Sequence, residues 1–198
     1  AANFDLNQAA QEFLSGKLDA LNACEECCDR HASPGRIALF WRGKDGRTLQ
    51  YTFAELQNRA AQFANFLKAN GVAKGDRVSG LLPRTPELII TILATWRIGA
   101  VYQPLFTAFG PKAIEHRLNL AKSKFVVTDP TNRDKLHEVE GCPSIVTVTG
   151  EKGTGLYQGD YSFWAELERQ STQCEIEYLS MDDPFLLMFT SGTTGPAK

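Results

Sequence analysis

The sequence lacks long apolar runs, and no stretch approaches the roughly eighteen apolar residues of a membrane-spanning helix. Its start also lacks a basic region followed by an apolar core, which is the pattern of a secretory signal. Neither sign of charge dominates, because 21 basic and 23 acidic side chains give a formal net charge of -2. Such a chain has no electrostatic footprint for nucleic acid or an anionic membrane. We therefore expect a soluble, cytoplasmic protein with neither partner.

Cysteine is scarce, and the five cysteines are an odd number in a chain without an export signal, which fits free thiols in a reducing compartment. Cys24-x-x-Cys27-Cys28 is compatible with half of a metal site, but no second Cys pair or His pair stands at zinc spacing. Helical spacing explains the cluster better, because an amphipathic helix over Leu18–His31 would place Cys24 and Cys28 on its inner face. We predict no metal site here.

Hydrophobic residues are plentiful, at 43% of the 198 residues with 12 Phe and 3 Trp, so we expect a substantial core. The length suffices for one domain, or for one lobe and part of another. From Arg77 onward, short apolar segments alternate with amphipathic ones, and this β-α-β pattern predicts a mostly parallel α/β sheet with flanking helices. The predicted strands are Arg77–Leu82, Val101–Pro104, Phe125–Thr128 and Ser144–Val148, and the predicted helices are Thr85–Ile98, Pro111–Leu120 and Asp134–Glu140.

The flanking segments carry clear turn and cap signals. Strands over Ile37–Trp41 and Thr48–Tyr51 around a polar turn predict a hairpin. Thr52 and Glu55 form a capping box at the start of a strong helix, and Gly71 stands where its left-handed C-cap belongs. A polar loop, a helix over Tyr161–Gln170 and a buried strand over Phe185–Phe189 complete the chain. We divide it into an α/β subdomain, residues 18–149, and a loop, helix and strand, residues 150–198, that lead to the terminal loop.

The last nine residues combine hydroxyls, glycines and one cation directly behind the apolar run Phe185–Phe189. Gly192 and Gly195 can adopt positive φ, which lets backbone N–H groups converge on an anion. The neighbouring hydroxyls can donate hydrogen bonds, and Lys198 can neutralise negative charge. This composition is suited to phosphate. The candidate phosphate-binding residues are Thr190, Ser191, Gly192, Thr193, Thr194, Gly195 and Lys198.

Two other interpretations of this terminal loop are weaker. A mobile Ser/Thr/Gly-rich tail would not be expected to follow a strand pattern and close on lysine. A Walker-type NTPase would need glycine immediately before the lysine, where this chain has Ala197. Arg84, Arg97 and Arg117 are predicted to be surface or interface charges rather than ligands.

The terminal loop resembles the signature phosphate loop of the adenylate-forming superfamily, the AMP-binding acyl-CoA synthetases, in Phe189-Thr190-Ser191-Gly192-Thr193-Thr194-Gly195-x-x-Lys198. Further segments similar to the acetyl-CoA synthetase branch are Tyr51-Thr52-Phe53-Ala54-Glu55-Leu56, Gly75-Asp76-Arg77-Val78, Arg97-Ile98-Gly99-Ala100-Val101 and Phe109-Gly110-Pro111-x-Ala113-Ile114-x-x-Arg117. One departure is Pro196-Ala197-Lys198, because the usual signature has proline directly before the lysine. The resemblance implies that the chain is the N-terminal part of the large domain of such an enzyme.

The resemblance also implies an activity. Enzymes of this family activate a carboxylic acid with ATP to an acyl-adenylate and pyrophosphate, and then transfer the acyl group to CoA. The four hydroxyl residues from Thr190 to Thr194 would then hold the departing phosphates, and Lys198 would pair with their charge. Mg²⁺ is expected beside them. The segment that begins at Phe106 matches one near the CoA nucleotide, but Thr107 and Ala108 replace two glycines there.

The resemblance places several functional parts downstream of Lys198. These are the adenine-contacting motif, the ribose- and metal-binding acids and the C-terminal domain with its catalytic lysine, so no catalytic residue is assigned. We accordingly expect this portion alone to be inactive. Two alternatives stay open, namely a nucleotide-binding module without turnover and an adenylating enzyme with an acceptor other than CoA. The acid is expected to be short-chain.

Overall fold

The computed structural model describes residues 4–15, 18–149 and 155–190. Its strands are β1 (Ile37–Arg42), β2 (Thr48–Thr52), β3 (Arg77–Leu81), β4 (Val101–Pro104), β5 (Phe125–Thr128), β6 (Ser144–Thr147) and β7 (Tyr161–Ser162). Its helices are α1 (Leu6–Phe13), α2 (Ala23–Cys27), α3 (Phe53–Ala69), α4 (Pro86–Arg97), α5 (Pro111–Ala121), α6 (Pro130–Arg133) and α7 (Phe163–Glu168), with 3₁₀ turns at Asp29–His31 and Asp134–Glu138.

A five-stranded sheet with strand order β4-β3-β5-β6-β7 organises the chain. Every neighbouring pair in it is parallel, as the β-α-β alternation predicted, and β1 with β2 forms a separate antiparallel hairpin. From β3 the chain passes to one side to build β4 and then to the other side to build β5. The strand order therefore reverses beside β3, and in open parallel sheets the crevice at the carboxyl ends of such strands is where ligands bind.

Helices cover both faces of the sheet and enclose two apolar cores. Successive side chains of β5 point to opposite faces, so Phe125 and Val127 join the core under α3 and α4, whereas Val126 joins the core under α5. The first core is filled by aromatic rings, with Phe63 4.8 Å from Phe163 and 5.7 Å from Phe66 between ring centroids. The sheet is thus buried on both faces, as parallel sheets generally are.

Several predicted boundaries are confirmed. The Thr52 hydroxyl accepts the Glu55 amide at 3.1 Å while the Glu55 carboxylate accepts the Thr52 amide at 2.7 Å, so the capping box of α3 is complete. Gly71, just past the end of α3, has a φ of +83°, the left-handed conformation expected there. At α4, Thr85 occupies the N-cap position without making a side-chain cap bond.

The predicted helix over Leu18–His31 is wrong in its first part. Leu21 instead exchanges both backbone hydrogen bonds with Leu179 at 2.8 Å, in an antiparallel bridge. Asn22 then begins α2, because its Oδ1 accepts the amides of Cys24 at 2.8 Å and of Glu25 at 3.4 Å. The inner-face prediction holds for Cys24 and Cys28, which are 0% and 1% exposed.

Two later predictions also need correction. The predicted helix over Tyr161–Gln170 is shorter, because its first two residues form β7 against β6 and the helix proper is α7. The predicted buried strand over Phe185–Phe189 is instead an extended segment with one parallel bridge to β4, and Phe185 is 45% exposed. Its apolar composition predicted burial, but the segment lies at the open edge of the sheet, where its outer side meets no other described strand.

Arg97 is the clearest single correction. It lies buried at the end of α4, not at the surface, and its Nη1 contacts an Asp29 carboxylate oxygen at 2.6 Å. Its Nε donates to the carbonyl of Cys174 at 2.8 Å.

No helix of the described ranges is both long enough and apolar enough to cross a membrane.

Candidate functional site

The segment that precedes the predicted phosphate loop runs alongside β4. The Tyr102 amide donates to the Phe185 carbonyl at 3.0 Å, and the Leu187 amide donates to the Tyr102 carbonyl at 2.9 Å. Because this pairing is parallel, the segment leaves the sheet at the edge where β4 also ends. Phe189 and Thr190 therefore emerge at the carboxyl edge of the sheet.

Thr190 is the one candidate phosphate-binding residue within the described part of the chain, where it is exposed. The other candidates lie outside the described residues: Ser191, Gly192, Thr193, Thr194, Gly195 and Lys198. Their assignment to phosphate stays a prediction.

Phe106, the candidate for the CoA region, follows β4 at the same carboxyl edge and is 66% exposed. Its carbonyl accepts the Phe109 amide at 2.9 Å in a tight turn. The two rings meet edge to face, with centroids 5.4 Å apart and planes at 83°. An exposed ring fixed in this way can serve as a stacking surface for a nucleotide base.

Lys135, which sequence analysis did not identify, contacts the loop that carries Phe106. The Lys135 ammonium donates to the Thr107 carbonyl and, at 2.9 Å, to Asn132 Oδ1. Asn132 is itself fixed to Asp129 at 2.6 Å in the turn after β5. Lys135 therefore joins the connections that follow β4 and β5, and it brings positive charge to the carbonyl of Thr107, the residue after Phe106.

Arg117 contacts two aromatic rings in the same region. Its guanidinium carbon is 4.2 Å from the centroid of Phe109 and 5.8 Å from that of Phe189. The ring of His116, on the same helix, also contacts Phe189, with centroids 6.5 Å apart. The prediction treated Arg117 as a surface or interface charge, whereas it is half-buried and stacked. No local sequence signal indicates this, because Phe189 is distant in the chain.

Three of the thiols, those of Cys24, Cys28 and Cys142, are poor nucleophiles at neutral pH. Burial raises the pKa of Cys28 to about 12 and that of Cys142 to about 11. Burial likewise raises the pKa of Cys24, and the nearby Asp29 carboxylate adds to that effect. Since the thiolate is the reactive form, these residues act as small packing groups. Within the described ranges, no group of three or more His, Cys, Asp or Glu side chains is arranged to hold a metal ion.

The described structure is a parallel α/β sheet with an exposed aromatic ring, a stacked arginine and a hydroxyl-bearing segment at its carboxyl edge, and in this class of open α/β protein ligands bind at that edge. The family model for the AMP-binding enzymes matches residues 25–198. The chain belongs to this family.

Named relatives agree with this membership. The acetyl-coenzyme A synthetase of Shewanella denitrificans is 36% identical over 217 aligned positions, which cover 99% of this chain and 33% of that protein. The acetyl-coenzyme A synthetase of Bacillus subtilis is 36% identical over 205 positions, or 99% of this chain and 35% of that protein. A crystal structure of Brucella canis acyl-CoA synthetase superposes with a TM-score of 0.92 at 47% identity, covering 98% of this chain and 35% of that one. The chain thus spans about a third of the length of these relatives.

Proposed function

We propose that the whole protein is an AMP-forming acyl-CoA synthetase that activates a short-chain carboxylic acid. In the first step a carboxylate oxygen of the acid attacks the α-phosphorus of ATP, the bond to the bridging oxygen breaks, and pyrophosphate leaves. In the second step the CoA thiolate attacks the carbonyl carbon of the acyl-adenylate, and AMP leaves. The single observation that supports this best is the phosphate-loop sequence Thr190–Lys198 in a chain of the AMP-binding family.

The loop residues have a defined part in the first step. The hydroxyls of Thr190, Ser191, Thr193 and Thr194 would donate to the β- and γ-phosphates, and Gly192 and Gly195 would permit close backbone approach. Lys198 would neutralise the charge that grows on pyrophosphate as it departs. Within the described ranges no group of three or more His, Cys, Asp or Glu side chains could hold Mg²⁺. A Mg²⁺ ion that enters with ATP would screen phosphate charge.

The loop that carries Phe106 is our candidate for contact with the CoA nucleotide. Its support is the exposed ring, which a base can stack on, and the nearby Lys135 ammonium, which attracts phosphate. Thr107 and Ala108 stand where the family segment has two glycines, and the alternative role of Phe106 is simple packing. Replacing Phe106 by Ala should raise the KM for CoA more than the KM for ATP.

Two alternatives stay open beside this proposal. An adenylating enzyme could pass the acyl group to a carrier thiol or another nucleophile, in which case acyl-adenylate would form without consumption of CoA. A nucleotide-binding module would bind ATP without releasing pyrophosphate. We keep the division at residue 150 and the cytoplasmic location as predictions from the sequence.

The proposed phosphate contacts can be tested in the full-length enzyme with Thr193→Ala combined with Lys198→Ala. We expect ATP–pyrophosphate exchange with acetate or propionate to fall about 100-fold or more, because donors and a cation for the leaving group are lost. The unfolding midpoint should stay close to that of the wild-type enzyme.

The matched control combines Lys44→Ala with Thr48→Ala, the same pair of substitutions on the exposed β1–β2 hairpin. This control should exchange pyrophosphate at the wild-type rate. An exchange rate within about threefold of wild type in the loop variant would contradict a phosphate-binding role.

A further inference from the structure

We propose that Arg117 is a positioning residue for the first step, and that its guanidinium fixes the base of the predicted phosphate loop to the loop that carries Phe106. The inference rests on the proposed function. The Arg117 guanidinium contacts the ring of Phe109 and that of Phe189, the residue directly before Thr190.

The guanidinium is held in place from its own helix. Arg117 Nη1 donates to the carbonyl of Ala113, one turn earlier in α5, at 2.9 Å. The Arg117 carbonyl in turn accepts from Gln103 Nε2 at 3.2 Å. Both ends of the residue are therefore anchored, and the planar group is presented to the two rings in a fixed orientation.

Strand β4 provides the common base for this arrangement. The buried Gln103 side chain accepts hydroxyl hydrogen bonds from Ser79 at 2.6 Å and from Ser123 at 2.9 Å, in addition to its bond to α5. Its neighbour Tyr102 holds Phe185 and Leu187 through its backbone. Two consecutive residues of β4 thus fix the helix that carries Arg117 and the segment that carries Phe189.

Among the described residues, the contacts of Arg117 with Phe109 and Phe189 join the loop that carries Phe106 to the start of the predicted phosphate loop. Phe109 packs edge to face on Phe106, and Arg117 connects Phe109 to Phe189. A cation over an aromatic face is attracted by the ring quadrupole, and the attraction grows where water is excluded. Because small misplacements of a reacting group cost large factors in rate, a fixed base for the loop should favour ATP binding in the reactive geometry.

Substitutions at Arg117 in the full-length enzyme test this role through pyrophosphate exchange. Arg117→Met keeps an unbranched apolar stem but removes the guanidinium cation, and we expect the KM for ATP to rise about tenfold. Arg117→Lys restores charge without the planar group and should recover part of the loss. Phe109→Leu leaves Arg117 intact but removes the aromatic ring that its guanidinium contacts at 4.2 Å, and it should raise the KM for ATP several-fold.

The matched control is Arg59→Met, because Arg59 is also half-buried and lies 5.6 Å from the centroid of an aromatic ring, that of Trp164. Trp164 follows β7, which lies at the opposite end of the strand order from β4. Arg59→Met should leave the KM for ATP unchanged, with an unfolding midpoint similar to that of Arg117→Met. A KM for ATP within about twofold of wild type in both Arg117→Met and Phe109→Leu would overturn the inference.

The remaining outcomes are also decisive. A large effect of Arg117→Met with none of Phe109→Leu would mean that Arg117 acts on ATP directly, which overturns a positioning role. Should Arg117→Met fail to fold, Arg117→Lys and Phe109→Leu carry the same comparison. A wild-type enzyme that exchanges no pyrophosphate with any short-chain acid would refute the proposed function, whereas wild-type exchange with unaffected variants refutes this inference alone.

Discussion

At the scale of single residues, several polar groups inside this chain are specified by partners far away in sequence. Ser79, Gln103 and Ser123 share one buried hydrogen-bond network that joins β3, β4 and the turn after α5. Burying such groups is tolerated because they satisfy one another. The Tyr102 hydroxyl is an exception, since it is buried and has no partner among the described residues.

Tyr102 and Gly80 form a tight pair that a double-mutant cycle can resolve. A Cβ built on Gly80 would meet the Tyr102 hydroxyl and lie 3.0 Å from its Cζ. Gly80→Ala should therefore lower the free energy of unfolding by roughly 1–3 kcal/mol, as overpacking does. Tyr102→Phe removes an unpaired buried hydroxyl and should be neutral or slightly stabilising.

The double variant should lose less stability than the sum of the two single variants, because removal of the hydroxyl gives the new methyl group room. Urea unfolding of all four proteins measures the coupling. Strict additivity, with Gly80→Ala equally destabilising in the Tyr102→Phe background, would mean that the hydroxyl is not the obstacle.

The candidate site shows how far single residues can be predicted. The phosphate-loop hydroxyls and Lys198 were assigned because they lie together in the sequence, although most of them fall outside the described residues. The contacts of Arg117 with Phe189 and of Lys135 with Thr107 were not predicted, because only the fold brings these residues near each other. Arg97 was wrongly placed at the surface for the same reason, since its partner Asp29 belongs to another element.

At the scale of elements, local capping signals were the most reliable guide. Thr52 and Glu55 are three residues apart and need no tertiary contact to form their box. Thr85 has the same sequence signature for an N-cap, followed by proline, yet its hydroxyl is buried without a partner in the described structure. The same residue type at two helix starts therefore contributes differently.

Replacing each threonine by alanine tests this difference. Thr52→Ala should lower the free energy of unfolding by about 1 kcal/mol, because the Glu55 amide loses its acceptor. Thr85→Ala should change it by less than about 0.5 kcal/mol, because no cap bond is lost. Thermal or urea unfolding gives both values, and Thr52→Ser is the control that keeps the hydroxyl. An equal loss in the two alanine variants would contradict the observed caps.

Elements whose extent depends on tertiary contacts were predicted less well. The periodicity of Leu18–His31 suggested one helix, but the backbone of Leu21 is engaged by Leu179, and helix α2 begins only after Asn22. The apolar run Phe185–Phe189 suggested a buried strand, yet it lies at an open sheet edge. An apolar run indicates that a segment favours burial, but it does not identify the element against which the segment packs.

At the scale of the whole molecule, two buried ion pairs join segments that are far apart in the sequence. Arg97 with Asp29 holds the N-terminal turn against α4. Arg133 with Asp160 joins the turn after β5 to the start of β7 through two contacts, at 2.6 Å and 2.8 Å. The hydroxyl of Thr147 donates to the same Asp160 carboxylate at 2.8 Å.

Asp160→Asn should therefore weaken the attachment of β7 to the sheet and lower the free energy of unfolding. It leaves the Arg133 charge buried without its counterion, which typically costs about 3–5 kcal/mol of the free energy of unfolding. The matched control is Asp45→Asn, which removes an exposed pair with Arg47 and should leave the free energy of unfolding nearly unchanged, because water screens that pair. Guanidinium unfolding at neutral pH compares the two variants, and equal small losses would show that the buried pair contributes nothing.

The pH dependence supplies an independent signature of the same pair. Burial alone would raise the pKa of Asp160, but hydrogen bonds from Arg133 and Thr147 and the Arg133 charge hold it below its ordinary value. At pH values between the folded pKa of Asp160 and its unfolded pKa of about 3.9, the unfolded chain binds more protons than the folded chain. The contribution of Asp160 is therefore complete above the unfolded pKa and is lost as the pH falls through the folded pKa. Unfolding measured from pH 7 downward should accordingly show the gap between wild type and Asp160→Asn narrowing in acid, and a constant gap would refute the assignment.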